Sequence, residues 1–270
     1  GIICLDAYNG RELWTFELEG NLRDFDGIHH DVGVGEAGSN FCLSDDAVFL
    51  KNADRCFRID LLTGEVLGEF PLPKREGDEK QNWGFLAYDQ GVLFGSIQNE
   101  EHRVSPRYKL TKLRTESTRF FALDAKTGEL KWKFDPEHSI RNNAIAVAGD
   151  KVFLIDRPLV DADNVADPKR NGKHLPKLPA DQIAGGTLYA FDATPGKELW
   201  KNDKEIFGTQ LAASESHSTL MMNYEAVRHN FFALPSETGG RLAGFDLETG
   251  KRRWDQKADY QTRPLINDYT

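Results

Sequence analysis

The stretch Gly27-Ile-His29-His30-Asp31 holds the side chains of this sequence that are best suited to chemistry. Imidazoles beside a carboxylate can bind a transition metal or transfer protons. Adjacent histidines reach one ion only where the backbone is irregular, and the glycines that follow at 33, 35 and 38 favour such a backbone. His29, His30 and Asp31 therefore form a candidate metal site. The alternative, which the spacing favours, is a loop whose histidines are held by ordinary hydrogen bonds.

Polar side chains also recur where inner strands are predicted to begin. The candidates are Asn40, Asn82, Arg141, Asn142, Gln210 and Arg263. If these strands are arranged radially, the side chains converge on one opening. The arginines could then receive an anionic or carbonyl-rich ligand, so these six residues are candidate cofactor-binding residues. The alternative, which we favour, is that short polar side chains satisfy backbone groups where strands start. No catalytic residue is assigned.

A repeat organises the chain and must position these residues. Five segments align without gaps; each has Asp at its first position and Gly four residues later, and four have Trp eight residues after the Asp. Successive Asp residues are 54, 64, 68 and 54 residues apart. The segments begin at Asp6, Asp60, Asp124, Asp192 and Asp246 and end at Trp14, Gly68, Trp132, Trp200 and Trp254.

Each recurring position has a physical role in a hairpin. Asp bonds its own backbone two residues on, and Gly adopts the positive φ that a tight turn requires. Trp then buries roughly 150–250 Å² against a neighbour. A propeller blade takes about 40–50 residues, so each step is one blade plus an insertion. The segment from Asp60 to Gly68 lacks the Trp, which predicts a weaker contact with the next blade.

The segment from Ala122 to Trp132 resembles the Ala-x-Asp-x-x-Thr-Gly-x-x-x-Trp signature of the pyrroloquinoline-quinone-type, tryptophan-docking repeat family. This family includes both quinoprotein enzymes and non-catalytic scaffolds such as an outer-membrane-protein assembly lipoprotein. The resemblance implies an all-β propeller of four-stranded antiparallel blades and an extracytoplasmic, periplasmic location. It also implies, for the enzymes, pyrroloquinoline quinone with calcium over the channel. The alcohol-oxidising members carry an adjacent-cysteine disulfide, whereas Cys4, Cys42 and Cys56 are not adjacent. A Cys42–Cys56 pair stays open.

We predict one propeller segment over residues 1–270, with about four complete blades and two partial ones. The terminal pieces together lack a strand, which favours an open arc cut from a seven- or eight-bladed ring. The large insertions, at about 98–118, 157–186 and 225–240, all follow second strands, so they share one face opposite the tight turns. We call it the loop-rich face. The predicted partial blades are 1–18 and 263–270, and the complete blades are about 40–70, 82–134, 142–202 and 209–256.

Composition excludes several function classes. The net charge of −9 and the pI near 5.3 argue against nucleic acid as a partner. No apolar run approaches the ~18 residues that cross a bilayer. The chain opens with Gly1 rather than Met, which predicts a mature or excised segment. Ser214, Ser216 and His217 lie at a predicted turn, so we expect a structural role for them rather than nucleophilic catalysis.

The function predicted first is a non-catalytic binding or assembly scaffold that holds a protein or extended ligand on the loop-rich face, without a cofactor. The alternative is a quinone- or metal-dependent oxidoreductase, using pyrroloquinoline quinone with calcium, whose site is only partly present in this sequence. Fold alone does not decide between them, because one fold hosts many functions.

Overall fold

The computed structural model describes residues 1–18, 40–73, 77, 81–102, 114–164, 178–224, 234–260, 264 and 266. His29, His30, Asp31 and Arg263 lie outside the described residues, as does most of the partial blade predicted over 263–270. The strands are β1 (Ile2–Leu5), β2 (Glu12–Phe16), β3 (Phe41–Leu43), β4 (Ala47–Asn52), β5 (Arg55–Asp60), β6 (Val66–Pro71), β7 (Trp83–Asp89), β8 (Val92–Gln98), β9 (Glu116–Asp124), β10 (Leu130–Phe134), β11 (Ser139–Ala148), β12 (Lys151–Arg157), β13 (Gly186–Asp192), β14 (Glu198–Ile206), β15 (Gln210–Ser214), β16 (Thr219–Asn223), β17 (Arg241–Asp246) and β18 (Arg252–Lys257).

The strands form antiparallel meanders, which confirms the predicted β-propeller fold. Strands β3–β6 and β15–β18 are separate four-stranded sheets, and β1 pairs with β2. We number the blades in chain order, with β1–β2 as the first and β15–β18 as the fifth. The third blade, β7–β10, and the fourth, β11–β14, are joined into one sheet because the start of β11 pairs with the start of β9. The sequence did not predict this junction, which pairs Ile140 with Ser117 and Arg141 with Glu116.

The Asp-x-x-x-Gly turns form as the sequence predicts. In the third blade, Asp124 Oδ1 accepts the backbone N–H groups of Lys126 and Thr127, each at 3.0 Å, and Gly128 adopts a φ of 74°. The N–H groups of Thr127 and Lys126 hold the pKa of Asp124 at about 2. The turns after Asp6, Asp60 and Asp246 carry the same pair of bonds.

Successive blades are held together by the repeated tryptophans. The indole N–H of Trp132 donates to the carbonyl of Ala193 in the next blade at 2.8 Å, and Trp200 donates to Leu247 at 3.0 Å. Trp14 bonds Leu61 in the same way, at 3.1 Å. Each indole lies on the turn glycine of the following blade. The apolar core consists of clusters that each span two successive blades, as expected for packed propeller blades.

Phe70 replaces the missing tryptophan of the second blade. It lies two residues after Gly68, on the same face of β6, and it is buried. Its ring covers Gly128 as the indoles cover their glycines: a Cβ added to Gly128 would lie 2.6 Å from the ring. The weaker strength of this contact stays a prediction. The apolar contact is present, but phenylalanine has no N–H to donate.

The second blade also differs from the others in the residue opposite the tryptophan position. The tryptophans lie opposite small cross-strand partners, which are Cys4, Ala122, Ala190 and Gly244. In the second blade the corresponding partner of Gly68 is Arg58, and the aromatic residue lies two positions further along the strand.

A substitution at Gly196 tests how tightly the third and fourth blades pack against each other. Its φ is 68°, and an added Cβ would lie 2.3 Å from the ring of Trp132. We expect Gly196→Ala to destabilise the protein more than Gly10→Ala, which has the same backbone conformation (φ 72°) but nothing within 4 Å of the added carbon. The control isolates the cost of the positive φ, about 1–2 kcal/mol. Chemical denaturation measures both variants, and equal losses would show that the ring moves away freely.

The described parts of the insertions lie at one end of the strands. Residues 99–102 and 114–115 flank the gap between β8 and β9, and the segment between β12 and β13 contains short 3₁₀ helices at Asp161–Asp163 and Ala180–Gln182. Residues 234–240 precede β17. In the part of the chain that the structure describes, no helix is long and apolar enough to cross a bilayer.

The three cysteines do not form a disulfide. Cys4, Cys42 and Cys56 are free thiols, so the possible Cys42–Cys56 disulfide is absent. Burial raises the pKa of the Cys42 thiol to about 12.

In the described residues, no core cluster joins the β15–β18 sheet to β1–β2, and Trp254 remains 37% exposed. The blade number of a complete ring stays a prediction.

Candidate functional site

A buried guanidinium lies where the insertions of the fourth and fifth blades meet the start of β9. Arg141 is the third residue of β11 and is 1% exposed. Its Nε donates to Glu116 Oε1 at 2.8 Å, and its Nη2 donates to Asp163 Oδ2 at 2.9 Å. Its Nη1 donates to Glu237 Oε1. One arginine therefore binds three carboxylates, all of them buried. We call these four residues the Arg141 cluster.

The outer oxygens of the carboxylates are also occupied. Ser139 Oγ donates to Glu116 Oε2 at 3.0 Å, and Thr209 Oγ1 donates to Glu237 Oε2 at 2.6 Å. The backbone N–H of Ser236 donates to Asp163 Oδ1 at 2.9 Å. Every one of the six carboxylate oxygens thus accepts at least one hydrogen bond. A buried charge network is tolerated only when its members are satisfied in this way.

The Arg141 cluster connects three blades. Glu116 begins β9 of the third blade, and Arg141 lies on β11 of the fourth. Asp163 ends the 3₁₀ helix in the insertion of the fourth blade, while Glu237 lies in the insertion of the fifth. The short pairing of Arg141 with Glu116 brings β9 and β11 close enough for the ion pair to form. The insertions are therefore fixed to each other through one buried side chain.

Electrostatics favours the charged state of Arg141. Burial by itself lowers the pKa of this guanidinium. The carboxylates of Glu116, Glu237 and Asp163 outweigh burial, so the net effect raises the pKa of Arg141 above its ordinary value. The side chain is thus a permanent cation whose donors point to internal acids rather than to the channel mouth.

A second buried guanidinium, Arg157, lies beside the cluster. It ends β12 and pairs with Ser139 across the sheet. Burial, followed by the positive charge of Arg141, lowers the pKa of Arg157, and the nearby carboxylates only partly oppose this. His102 lies in the insertion of the third blade. Burial lowers the pKa of its imidazole, and the charges of the nearby acids and arginines have smaller effects on it. Both side chains are buried.

Asn142 belongs to a second polar network, on the other side of β11. Its Oδ1 accepts from Ser117 Oγ at 2.6 Å, and the hydroxyls of Ser117 and Ser96 are 2.7 Å apart. Ser96 Oγ in turn accepts the backbone N–H of Phe85 at 2.7 Å. These bonds tie β7, β8, β9 and β11 together, so the side chain of Asn142 is used inside the structure.

The other sequence candidates do not join this network. Asn82 donates to Glu100 Oε1 at 2.6 Å, and Gln210 Oε1 accepts from Asn223 at 2.7 Å. Asn40 is exposed, and its carbonyl accepts the N–H of Lys51. Of the six candidates, the structure uses Arg141 and Asn142 in adjoining networks and gives Asn82 and Gln210 local partners. The hypothesis that they converge on a ligand stays a prediction.

Sequence reasoning missed the acids that surround Arg141. They lie 25, 22 and 96 residues away from it along the chain, and two of them are in insertions. No spacing in the sequence indicates such an arrangement. The one usable signal was Arg141 itself, because an arginine in a buried strand requires anionic partners.

The comparisons with known proteins identify the family. The family model described as outer membrane protein assembly factor BamB matches residues 1–265. The chain belongs to this family. No curated protein matches it.

Solved structures similar to this BamB-family chain are distant in sequence. BamB from Moraxella catarrhalis is 17% identical, with a TM-score of 0.47 over 94% of this chain and 55% of that chain. Quinohemoprotein alcohol dehydrogenase ADHIIG from Pseudomonas putida HK5 is 14% identical, with a TM-score of 0.47 over 82% of this chain and 34% of that chain. The chain thus spans about half of the first structure's length and about a third of the second's. The family assignment rests on the family model.

The cofactor of the quinoprotein enzymes needs a calcium site, which the Arg141 cluster does not fit. Calcium takes about six to eight oxygen ligands. All six carboxylate oxygens of the cluster already accept bonds from Arg141, hydroxyls or a backbone amide. Among the described residues, no group of three His, Cys, Asp or Glu side chains is arranged to hold a metal ion. We derive no catalytic step through pyrroloquinoline quinone and calcium.

Proposed function

We propose that this BamB-family chain is a non-catalytic scaffold that holds a protein or extended ligand on its loop-rich face. The observation that supports this function is the Arg141 cluster, which fixes the insertions of the fourth and fifth blades against the third. A surface that spans three blades suits an extended partner. Because the described parts of these insertions are held in place before binding, less of their conformational entropy is lost on association.

The buried charges of the Arg141 cluster have a structural role at this face. Three acids and one arginine are used to hold the loops in place, and none of the three acids has an oxygen without a hydrogen bond. What the face presents outward includes apolar side chains such as Leu159, which is 39% exposed. Leu159 precedes the 3₁₀ helix that Arg141 binds, so its position is set by the cluster. Loops placed by a rigid scaffold are common binding surfaces.

The family assignment supports a proposal for the partner and the compartment. We propose a protein component of outer-membrane-protein assembly as the partner, and an extracytoplasmic, periplasmic location. The proposal includes no cofactor and no nucleic acid. The quinone- or metal-dependent oxidoreductase remains the alternative, and no contact in the described residues favours it.

Site-specific photo-crosslinking tests this function. A photo-reactive amino acid at Leu159 lies on the loop-rich face, and the same amino acid at Leu62 lies on the tight-turn face. Leu62, at 84% exposed, is the more accessible of the two. In cells that assemble outer-membrane proteins, we expect the Leu159 variant to give a discrete adduct with a protein of that machinery, identified by mass spectrometry.

The Leu62 variant is the matched control, because its greater exposure would give more adduct if collisions were random. Equal adducts from both positions, or adducts from Leu62 alone, would contradict the use of the loop-rich face. The absence of any adduct from Leu159 in cells that contain folded protein would count against a protein partner.

A further inference from the structure

Arg157 has donors that no described residue accepts. Its Nη1 and Nη2 are both shielded from solvent, and neither has a hydrogen-bond partner among the described residues. The whole residue is 2% exposed. An isolated buried charge is strongly unfavourable unless a counter-charge and hydrogen bonds satisfy it. The arginine therefore lacks the feature that makes Arg141 stable in the same surroundings.

The neighbouring acids do not supply this partner. Glu116, Asp163 and Glu237 bind Arg141, and none of their oxygens lies within hydrogen-bond distance of Nη1 or Nη2 of Arg157. Arg157 is thus a second guanidinium beside a network that is already complete.

His102 adds a third unused nitrogen. Its Nε2 is shielded from solvent and has no hydrogen-bond partner among the described residues. The imidazole and Arg157 come from different blades, but the loop of His102 touches the insertion that follows Arg157, where Asn164 Nδ2 donates to the carbonyl of Glu101 at 3.5 Å. The loop that carries His102 is held in place by the bond from its N–H to Asn99 Oδ1 at 3.2 Å.

We propose that Arg157 and His102 form a buried binding site for one carboxylate group. The parallel Nη1 and Nη2 donors of arginine match the two oxygens of a carboxylate. An Nε2–H of His102 can donate to the same group. The ligand provides the acceptors that both side chains lack.

Charge selects a carboxylate over a phosphate. The three acids and two arginines of this region carry a net charge of −1 with neutral His102. A monoanion adds one further negative charge to a site of low dielectric, whereas a phosphate dianion adds two. A singly charged acid therefore carries the smaller electrostatic penalty at this site.

The carboxylate can belong to a free small acid or to the terminus of a peptide. The inference depends on the donors of Arg157 and His102 and not on the proposed scaffold function. A failed crosslinking experiment would therefore count against the scaffold function alone, and a failed ligand-binding experiment would count against the carboxylate site alone.

Ligand-dependent stability tests the site on the purified protein. We expect sodium acetate to raise the midpoint of denaturation, with saturation, relative to sodium chloride at equal ionic strength. At ten times the dissociation constant, the ratio of folded to unfolded protein should rise about 11-fold. Sodium phosphate should produce less stabilisation than acetate. A larger effect of phosphate would overturn the proposal, and so would the absence of any effect from both acetate and the carboxylate peptide described next.

Peptides distinguish the two sources. A short peptide with a free terminal carboxylate is compared with the same peptide amidated at its terminus. Stabilisation by acetate supports a free acid as ligand, and stabilisation by the carboxylate peptide alone supports a partner chain. Equal stabilisation by the amidated peptide would overturn the requirement for a carboxylate.

Arg157→Gln supplies the decisive variant. If the guanidinium is unpaired without ligand, this variant should be at least as stable as the parent protein, and acetate affinity should fall at least tenfold. Arg241→Gln is the control, because Arg241 is a half-buried arginine already paired with Asp255 at 2.6 Å. A loss of stability in Arg157→Gln with unchanged acetate binding would show that the protein itself pairs this side chain.

Discussion

Replacing Arg141 with Met is expected to destabilise the protein by about 3–5 kcal/mol, because three buried carboxylates lose the cation that they share. Met keeps much of the length of the apolar stem, so the effect reports mainly the charge. The loss should be seen in urea denaturation. The insertions of the fourth and fifth blades should also become more accessible to protease, since Asp163 and Glu237 no longer have a common partner.

Arg119→Met is the matched control for this change. Arg119 lies on the same strand as Glu116 and is also buried, but its partner Asp135 is 42% exposed. Water can solvate Asp135 when the arginine is removed, so the loss should be about 1 kcal/mol. If the two variants lost similar stability, the Arg141 cluster would not be the central connection between the blades that we describe.

Replacing Phe70 with Ala is expected to cost about 3–5 kcal/mol, as much as a buried aromatic side chain contributes elsewhere. The structure predicts this large loss because Phe70 covers Gly128 of the next blade and belongs to a core cluster that spans the second and third blades. Trp132→Ala, which removes the corresponding residue between the third and fourth blades, should cost a similar amount. Equilibrium denaturation compares the two directly.

Leu67→Ala provides the control on the same strand. Leu67 is an exposed apolar residue of β6, so its truncation should change stability by no more than about 0.5 kcal/mol. A small loss in Phe70→Ala, close to that of Leu67→Ala, would support the weaker contact expected from the missing tryptophan. A loss equal to that of Trp132→Ala would show that the shifted phenylalanine performs the same role.

The local features of the fold were predictable because they depend on residues close together in the chain. Asp124 bonds Lys126 and Thr127, and Gly128 adopts its positive φ, within five residues. The repetition of this turn indicated the propeller. The role of Phe70 was not predictable in the same way, because it depends on a contact with Gly128 in another blade.

The candidate site was only partly predictable. Arg141 and Asn142 were selected because they start an inner strand, and both are buried in polar networks. Their orientation toward internal partners could not be derived from their position. Arg157 and His102 were not selected at all, since nothing in their local sequence indicates that burial leaves their nitrogens without partners.

The repeat, the turns and the antiparallel blades were predictable from the sequence, because they depend on hydrophobic alternation and on short-range bonds. The pairing of the buried charges was not predictable, because it depends on how the blades pack. The Arg141 cluster assembles residues up to 96 positions apart, since the blades bring distant segments to one face and burial then requires every charge to find a partner. The carboxylate site inferred at Arg157 arises from the same condition, because this guanidinium lies beside the cluster and the described residues provide no acceptor for its Nη1 and Nη2.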